Sequence, residues 1–287
     1  MNDFRTDAEI TWCPGCGNFQ ILNAVEFLLK ELKENDFPLE KLILVSGVGN
    51  HAKIVDYLHI NSFNALHGRA IPAAAAIKAT DPDNKVICFV GDGDSYAEGL
   101  EHFVFAAKRN ADITVVVHNN RTYGLATGQF TPTSQSSFTG VTMPDGAKED
   151  AFNPLELLLV SGATFIARSY PKNRDHFRNV LQEAFWHKGF SVVDALQVCV
   201  TFNNLYENYD EHVQETAADD LKDFDLALKT IRKWDYKTLD KKIPVGIFYR
   251  EEVPVFEEKY LRLKENRKAK SQYKKRFVKQ HLDAQKE

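Results

Sequence analysis

Two short runs in this chain are suited to holding a charged ligand: Gly91-Asp92-Gly93-Asp94 and Asn119-Asn120. Each ends an apolar stretch, Val86-Ile87-Cys88-Phe89-Val90 before the first and Ile113-Thr114-Val115-Val116-Val117-His118 before the second. Between them Gly99 to Asn110 reads as a helix, with Leu100, Phe103, Val104, Ala106 and Ala107 apolar at helical spacing. Such a β-α-β unit puts Asp92 and Asn120 at the carboxyl ends of two parallel strands, the edge where open α/β sheets bind their ligands. A carboxylate and an amide carbonyl are hard oxygen donors of the kind Mg²⁺ takes, and the glycines beside them let backbone approach a diphosphate. Gly-Asp-Gly alone is an ordinary turn. The second strand and its paired asparagines are what raise it to a metal–diphosphate site.

A second constellation is Trp12-Cys13-Pro14-Gly15-Cys16-Gly17-Asn18. Two thiols separated by a Pro-Gly turn can grip zinc, act as a redox dithiol or ligate iron in an iron–sulfur cluster. No strand immediately precedes Cys13, which disfavours the thioredoxin-like reading. No second Cys-x-x-Cys pair is present to complete a zinc site. Of the chain's four cysteines, Cys88 falls within an apolar strand and reads as a small core residue. Four cysteines in 287 residues do not make a disulfide scaffold.

The elements that must position these residues alternate along the chain. Asn18 is placed to cap a helix reaching about Leu32, followed by a strand Leu42 to Val45 and the turn Ser46-Gly47-Val48-Gly49. Pro72 fits only a first helical turn, so the helix with four successive alanines should start near Arg69 to Ile71. A Ser-, Thr- and Gly-rich loop covers Thr127 to Thr142, and Asn153 caps Pro154 to Ser161. Strand Thr164 to Ala167, helix Asp175 to His187 and strand Phe190 to Leu196 continue the alternation. The pattern predicts an α/β fold with a doubly wound, mostly parallel sheet. A core over 1–204 and a C-terminal extension over 205–287 are expected. The extension has an acidic stretch from Asp210 to Asp225, a strand-like run from Lys241 to Tyr249, and a basic run that includes Arg267, Lys268, Lys270, Lys274, Lys275 and Arg276.

With 44% hydrophobic residues the chain can bury a large core, and a formal charge of −4 gives no reason to expect a nucleic-acid partner. Its apolar runs are too short to span a bilayer, and Met1-Asn2-Asp3-Phe4 lacks the order of a signal peptide. A soluble, cytoplasmic protein without membrane contact is expected.

The segment from Gly91 to Asn120 resembles the thiamine-diphosphate-binding motif, and the chain from Trp12 to about Asn204 resembles the β subunit of 2-oxoacid:ferredoxin oxidoreductases. The resemblance is carried by Trp12-Cys13-Pro14-Gly15-Cys16-Gly17, Ser46-Gly47-Val48-Gly49, His67-Gly68-Arg69-Ala70 with Pro72, Tyr123-Gly124-Leu125 with Gly128-Gln129, and Cys199-Val200-Thr201-Phe202-Asn203. It implies a thiamine-diphosphate-binding fold in which Asp92, Asn120 and the Thr122 carbonyl hold Mg²⁺. Gly49, His67, Gly68, Arg69, Gly91, Gly93, Asp94, Gly124 and Leu125 would surround the cofactor, with His67 and Arg69 in catalytic positions.

The resemblance further implies oxidative decarboxylation of a 2-oxoacid, with the acyl group passing to coenzyme A and electrons passing through an iron–sulfur cluster to ferredoxin. An α subunit would carry the second thiamine domain. Pyruvate and 2-oxoglutarate are both open as substrates. Some relatives carry lysine where Thr127 stands, and the Thr127 hydroxyl offers no charge to a second substrate carboxylate. In the family one 4Fe–4S cluster is held by four cysteines. Here Cys13, Cys16 and Cys199 match, whereas Asn50 stands where the remaining cysteine would fall. Three thiolates leave a 3Fe–4S cluster, or a 4Fe–4S cluster completed by His51, Asn50 or water, or no cluster. Two further readings stay open: a non-oxidative thiamine-dependent decarboxylase subunit, and a catalytically silent structural subunit.

Overall fold

The apolar run that ends at Gly91 has residues for two cores, and the architecture follows from it. Ile87 and Phe89 point into one buried cluster, while Val86, Cys88 and Val90 point into another. A strand covered on both faces belongs in the middle of a parallel sheet. The computed structural model describes residues 4–136, 138–140, 142–217 and 220–259. In chain order they form α1 (Asn18–Glu34), β1 (Leu42–Ser46), β2 (Ser62–Asn64), α2 (Ala70–Thr80), β3 (Lys85–Gly91), α3 (Asp92–Tyr96), α4 (Leu100–Arg109) and β4 (Thr114–Asn119). Then follow α5 (Pro154–Val160), β5 (Phe165–Ser169), α6 (Arg174–Trp186), β6 (Ser191–Leu196), α7 (Tyr206–His212), β7 (Val213–Glu215), α8 (Phe224–Ile231) and β8 (Ile243–Arg250).

The strands make one sheet in the order β2-β1-β3-β4-β6-β5-β8-β7. The first six are parallel, β8 runs antiparallel to β5, and β7 lies parallel to β8. The mostly parallel, doubly wound sheet expected from the alternating pattern is the fold observed. α1 and α6 cover one face. Ile21, Leu22, Val25, Leu28, Leu29 and Leu32 of α1 are buried there. Each such side chain stabilises the fold by roughly 1.5–3 kcal/mol. On the other face α2 lies against β3 and α4, its alanines allowing close approach. Asn110 ends α4 in the left-handed region at φ 53°.

One expectation changes. Asn18 does not cap α1; Gly17 occupies that position, and the buried Asn18 amide reaches His118 instead. Beyond residue 204 the strand-like run expected at Lys241 to Tyr249 forms β8, which joins the sheet beside β5. Ile243, Val245 and Phe248 of β8 are buried, which gives that strand reason to pair with β5. The basic run at 267–276 lies outside the described residues. Among the described residues no helix is long and apolar enough to cross a membrane.

Candidate functional site

The ends of β1, β3, β4 and β6 bring Gly49, Asp92, Asn120 and Cys199 to one edge of the sheet. There a cavity of about 280 Å³ opens, lined by Gly49, Asn50, His51, His67, Asp92, Asp94, Asn120, Thr122 and Gly124 among others. Asp92 is 2% exposed, and its Oδ2 accepts a hydrogen bond from Thr133 Oγ1 at 2.9 Å. Burial raises its carboxyl to about pKa 6, against which the Thr131 and Thr133 hydroxyls act. Asn120 Oδ1 accepts from the Thr122 amide at 3.0 Å, closing the turn that presents both residues. Gly93 must lack a side chain, because a Cβ there would lie 2.3 Å from the Tyr123 ring. The Tyr123 hydroxyl in turn lies 3.1 Å from the Gly93 carbonyl.

Asp94 is the hub of the opposite wall. Its Oδ1 accepts from the Gly68 amide at 2.6 Å and lies 3.0 Å from His67 Nδ1, while its Oδ2 lies 3.5 Å from His51 Nε2. Gly49 adopts φ 141°, and a Cβ on it would meet the His51 ring at 2.9 Å. His118 is a neutral imidazole, its pKa driven well down by burial with His51 adding to the effect; its Nδ1 lies 2.8 Å from Asn18 Oδ1. Among the described residues His51 Nε2, His67 Nδ1, Asp94 Oδ2 and His118 Nε2 have no aligned hydrogen-bond partner, and all four belong to cavity-lining side chains. Buried polar atoms left open around one space are what a polar ligand would satisfy.

Cys13, Cys16 and Cys199 gather beside this cavity. Burial, with the Cys199 and Cys13 thiols adding to it, pushes Cys16 up to about 11, while a backbone hydrogen bond from Asn18 opposes the shift. Thr201 Oγ1 lies 3.3 Å from Cys13 Sγ, and the Gly17 amide donates to the Val198 carbonyl at 3.0 Å, so the Cys-Pro-Gly-Cys turn docks on the segment after β6. Trp12 Nε1 donates to the Asn50 carbonyl at 2.7 Å. A Cβ on Gly124 would meet Asn50 Nδ2 at 3.3 Å and Cys199 Sγ at 3.8 Å. Asn50 therefore shares a neighbour with the thiols, whereas His51 turns its ring to Asp94 and His118. Among the described residues no three His, Cys, Asp or Glu side chains converge on a single ion. Cys88 is fully buried in the sheet, away from the other three.

Other expected site residues are placed differently. Gly91 and Leu125 line the cavity. Gly68 acts through its amide on Asp94. Arg69 turns outward, its Nη1 donating at 3.1 Å to the carbonyls of Gly68 and Glu98, and does not line the cavity. Thr127 also stays off the wall, its hydroxyl donating to the Ala126 carbonyl at 2.7 Å. Thr133 and His118 were missed by the sequence reading. His118 stood within a strand, and nothing local distinguished Thr133 from other threonines in its loop.

The chain matches the family described as thiamine pyrophosphate enzyme, C-terminal TPP binding domain, over residues 47–195, a span that contains every cavity-lining residue. Residues 199–265 match the family of the C-terminal part of the pyruvate ferredoxin oxidoreductase β chain. The β subunit of 2-oxoacid:ferredoxin oxidoreductase 1 of Aeropyrum pernix is 37% identical over 261 residues, covering 86% of this chain and 79% of that protein. A 2-oxoacid:ferredoxin oxidoreductase β subunit from Sulfolobus is 39% identical over 86% of this chain and 84% of its own length. The chain belongs to the 2-oxoacid:ferredoxin oxidoreductase β subunits. The fold agrees: the structure of 2-oxoglutarate:ferredoxin oxidoreductase from Magnetococcus marinus, with 2-oxoglutarate, coenzyme A and succinyl-CoA bound, superposes with a TM-score of 0.85 at 30% identity. That match covers 92% of this chain and 89% of that one. As a β subunit of this family, the chain has a sheet edge whose chemistry fits a thiamine pyrophosphate site. The oxygen donors Asp92 and Asn120 flank a cavity with glycine-rich walls and unpartnered polar atoms.

Proposed function

We propose that this chain is the β subunit of a 2-oxoacid:ferredoxin oxidoreductase that converts a 2-oxoacid and coenzyme A to acyl-CoA and CO₂, the released electron pair going to ferredoxin. The observation that carries this reading is the convergence of Asp92, Asn120 and the three thiols on one sheet edge in a chain of this family. Asp92, Asn120 and the Thr122 carbonyl would hold Mg²⁺ against a diphosphate. A buried carboxylate whose proton is held up to about pH 6 gains an opposite charge when the cation arrives. Gly49, Gly91, Gly93 and Gly124 keep the walls low, and Leu125 adds an apolar patch. His67 stands at the mouth, where the proximity of its Nδ1 to Asp94 Oδ1 and Glu98 Oε2, at 3.0 and 2.7 Å, fixes the ring as a polar group facing the reacting end of a substrate. Arg69 orders the adjoining Gly68-Glu98 backbone. Thiamine diphosphate bound there supplies the decarboxylation chemistry, and an iron–sulfur cluster on Cys13, Cys16 and Cys199 supplies one-electron transfer.

The site is completed by an α subunit. Val48, Leu66 and Leu125, at 38%, 76% and 65% exposed, leave apolar surface around the cavity mouth for a covering partner. The substrate is a 2-oxoacid, and Thr127, off the cavity wall, does not choose among them; the protein works in the cytoplasm.

Asn50, which flanks Gly124 as Cys199 does, favours a second reading, a non-oxidative decarboxylase subunit, because a neutral amide holds iron less firmly than a thiolate. One experiment separates the two. The anaerobically purified complex with its α subunit is given a 2-oxoacid, coenzyme A and oxidised ferredoxin. Acyl-CoA with reduced ferredoxin is the expected outcome; free aldehyde with no reduced ferredoxin would overturn it in favour of the decarboxylase.

A further inference from the structure

Asp92 stands at one end of a buried polar strut whose other end is in the C-terminal part of the chain. Thr133 Oγ1 lies 2.9 Å from Asp92 Oδ2 and 3.0 Å from Asn119 Oδ1, so its one hydroxyl proton serves both. Asn119 Nδ2 donates to Asp194 Oδ1 at 2.9 Å. The other Asp194 oxygen accepts from the Tyr236 hydroxyl, and that hydroxyl accepts from Arg168 Nε and Nη2 at 3.2 and 3.0 Å. A second branch runs through Arg121, whose Nε donates to the Thr133 carbonyl at 2.7 Å and whose Nη2 donates to the Tyr236 carbonyl. Both guanidiniums lie against Trp234, with Cζ of Arg121 5.3 Å and Cζ of Arg168 4.9 Å from its ring centre.

Every side chain of this strut other than Asp92 is at 0% exposure. Burying two guanidiniums and a carboxylate is expensive, and apolar packing of the same volume is often as stable or more so. Both ends are also strained. Arg121 at φ 59° and Tyr236 at φ 65° occupy the left-handed region that side chains disfavour. Arg121 is the residue between Asn120 and Thr122, so the strut takes hold at both places that supply the oxygen donors. Costly burial and backbone strain at those two points suit a device that fixes atomic positions.

We propose that Tyr236 is a positioning residue for the donor set Asp92, Asn120 and Thr122, acting through Asp194, Asn119, Thr133 and Arg121. The segment after β6 thereby sets the cation affinity of the cofactor site. This rests on the Mg²⁺ reading of that donor set.

The test is made on the complex with the α subunit, measuring the Mg²⁺ concentration that half-saturates thiamine diphosphate binding. Tyr236→Phe removes one hydroxyl and keeps the ring against Trp234. That concentration should rise about threefold, less than the roughly tenfold of losing the partner directly behind a metal ligand, with iron content unchanged. Thr133→Val should act in the same direction and Thr133→Ser should restore the wild-type value. If Tyr236→Phe lowers the melting temperature but leaves the Mg²⁺ dependence unchanged, the strut is only a structural brace and the proposal is wrong. Should Tyr236→Phe not fold, the Thr133 pair decides: a difference between Val and Ser supports the proposal, and equal affinities overturn it. Asp92→Asn separates the two ideas. If that variant also keeps wild-type Mg²⁺ dependence, the cation assignment itself is at fault.

Discussion

At the amino-terminal edge of the sheet, polar side chains are closed on one another. Asn110 Oδ1 accepts from Thr164 Oγ1 and from the Phe190 amide, both at 2.8 Å, its Nδ2 donates to the Val253 carbonyl at 3.2 Å, and Thr164 also meets His187 Nε2 at 2.9 Å. At the carboxyl edge the inventory is similar, yet His51, His67, Asp94 and His118 each keep an unpartnered atom beside one cavity. Among the described residues the first edge has its own open atoms, Ser191 Oγ, His187 Nδ1 and Glu257 Oε1, but none of them lines that cavity. One edge is finished by the fold, and the other is left to be finished by a ligand. The difference follows from topology, since parallel strands send their carboxyl-end turns to one side, where the crevice of an α/β sheet opens.

The comparison is broken most forcefully at Asp92. Asp92→Ala should lower thiamine diphosphate affinity by about two orders of magnitude by removing the charged oxygen donor. The melting temperature should hold, because no core packing is lost. Equilibrium binding and a thermal melt on the same sample check both halves. At the closed edge the pattern should reverse. Asn110→Ala breaks the bond from Thr164, strands the Phe190 amide and removes a left-handed helix stop, so unfolding should become easier by about 2 kcal/mol. Cofactor affinity should stay at the wild-type value.

His187 sharpens the contrast through pH. Burial, helped by the Arg250 charge, lowers its pKa from 6.5 to about 4. Between those values the unfolded chain binds a proton that the fold refuses. The contribution is therefore complete above pH 6.5 and is lost progressively as pH falls toward 4. His187→Gln should flatten that limb of the melting-temperature profile, and an unchanged slope would mean the imidazole is charged in the fold.

Asn50→Cys is the subtler case within the open edge. A thiol beside Cys199 and Gly124 should raise the iron retained per chain after brief exposure to air, measured against acid-labile sulfide. His51→Ala should leave iron content where it was, because its ring faces Asp94.

Much of the open edge was legible from sequence because periodicity and motif agree there. The uninterrupted apolar runs of β3 and β4, buried on both faces, mark them as central strands, and Asp92 and the Asn119-Asn120 pair stand at or just beyond their ends. What was not legible is what tertiary packing decides. Asn50 and His51 are neighbours in sequence, yet only the turn after Gly49 determines that Asn50 lies against Gly124 while the His51 ring turns to Asp94. Asn18 has the composition of a helix cap, but Gly17 is drawn to the Val198 carbonyl and takes that place. Thr133 and Tyr236 reach Asp92 across sequence separations that no local pattern reports. The same holds for β8, whose pairing with β5 joins the segment beyond residue 204 to the sheet.

The central claim is that this edge binds thiamine diphosphate through a divalent cation held by Asp92 and Asn120. Calorimetric titration of thiamine diphosphate into the metal-stripped complex, once with Mg²⁺ and once with a chelator, tests it most directly. Saturable binding that requires Mg²⁺ is predicted. Equal affinity in both titrations, or no binding in either, would contradict it.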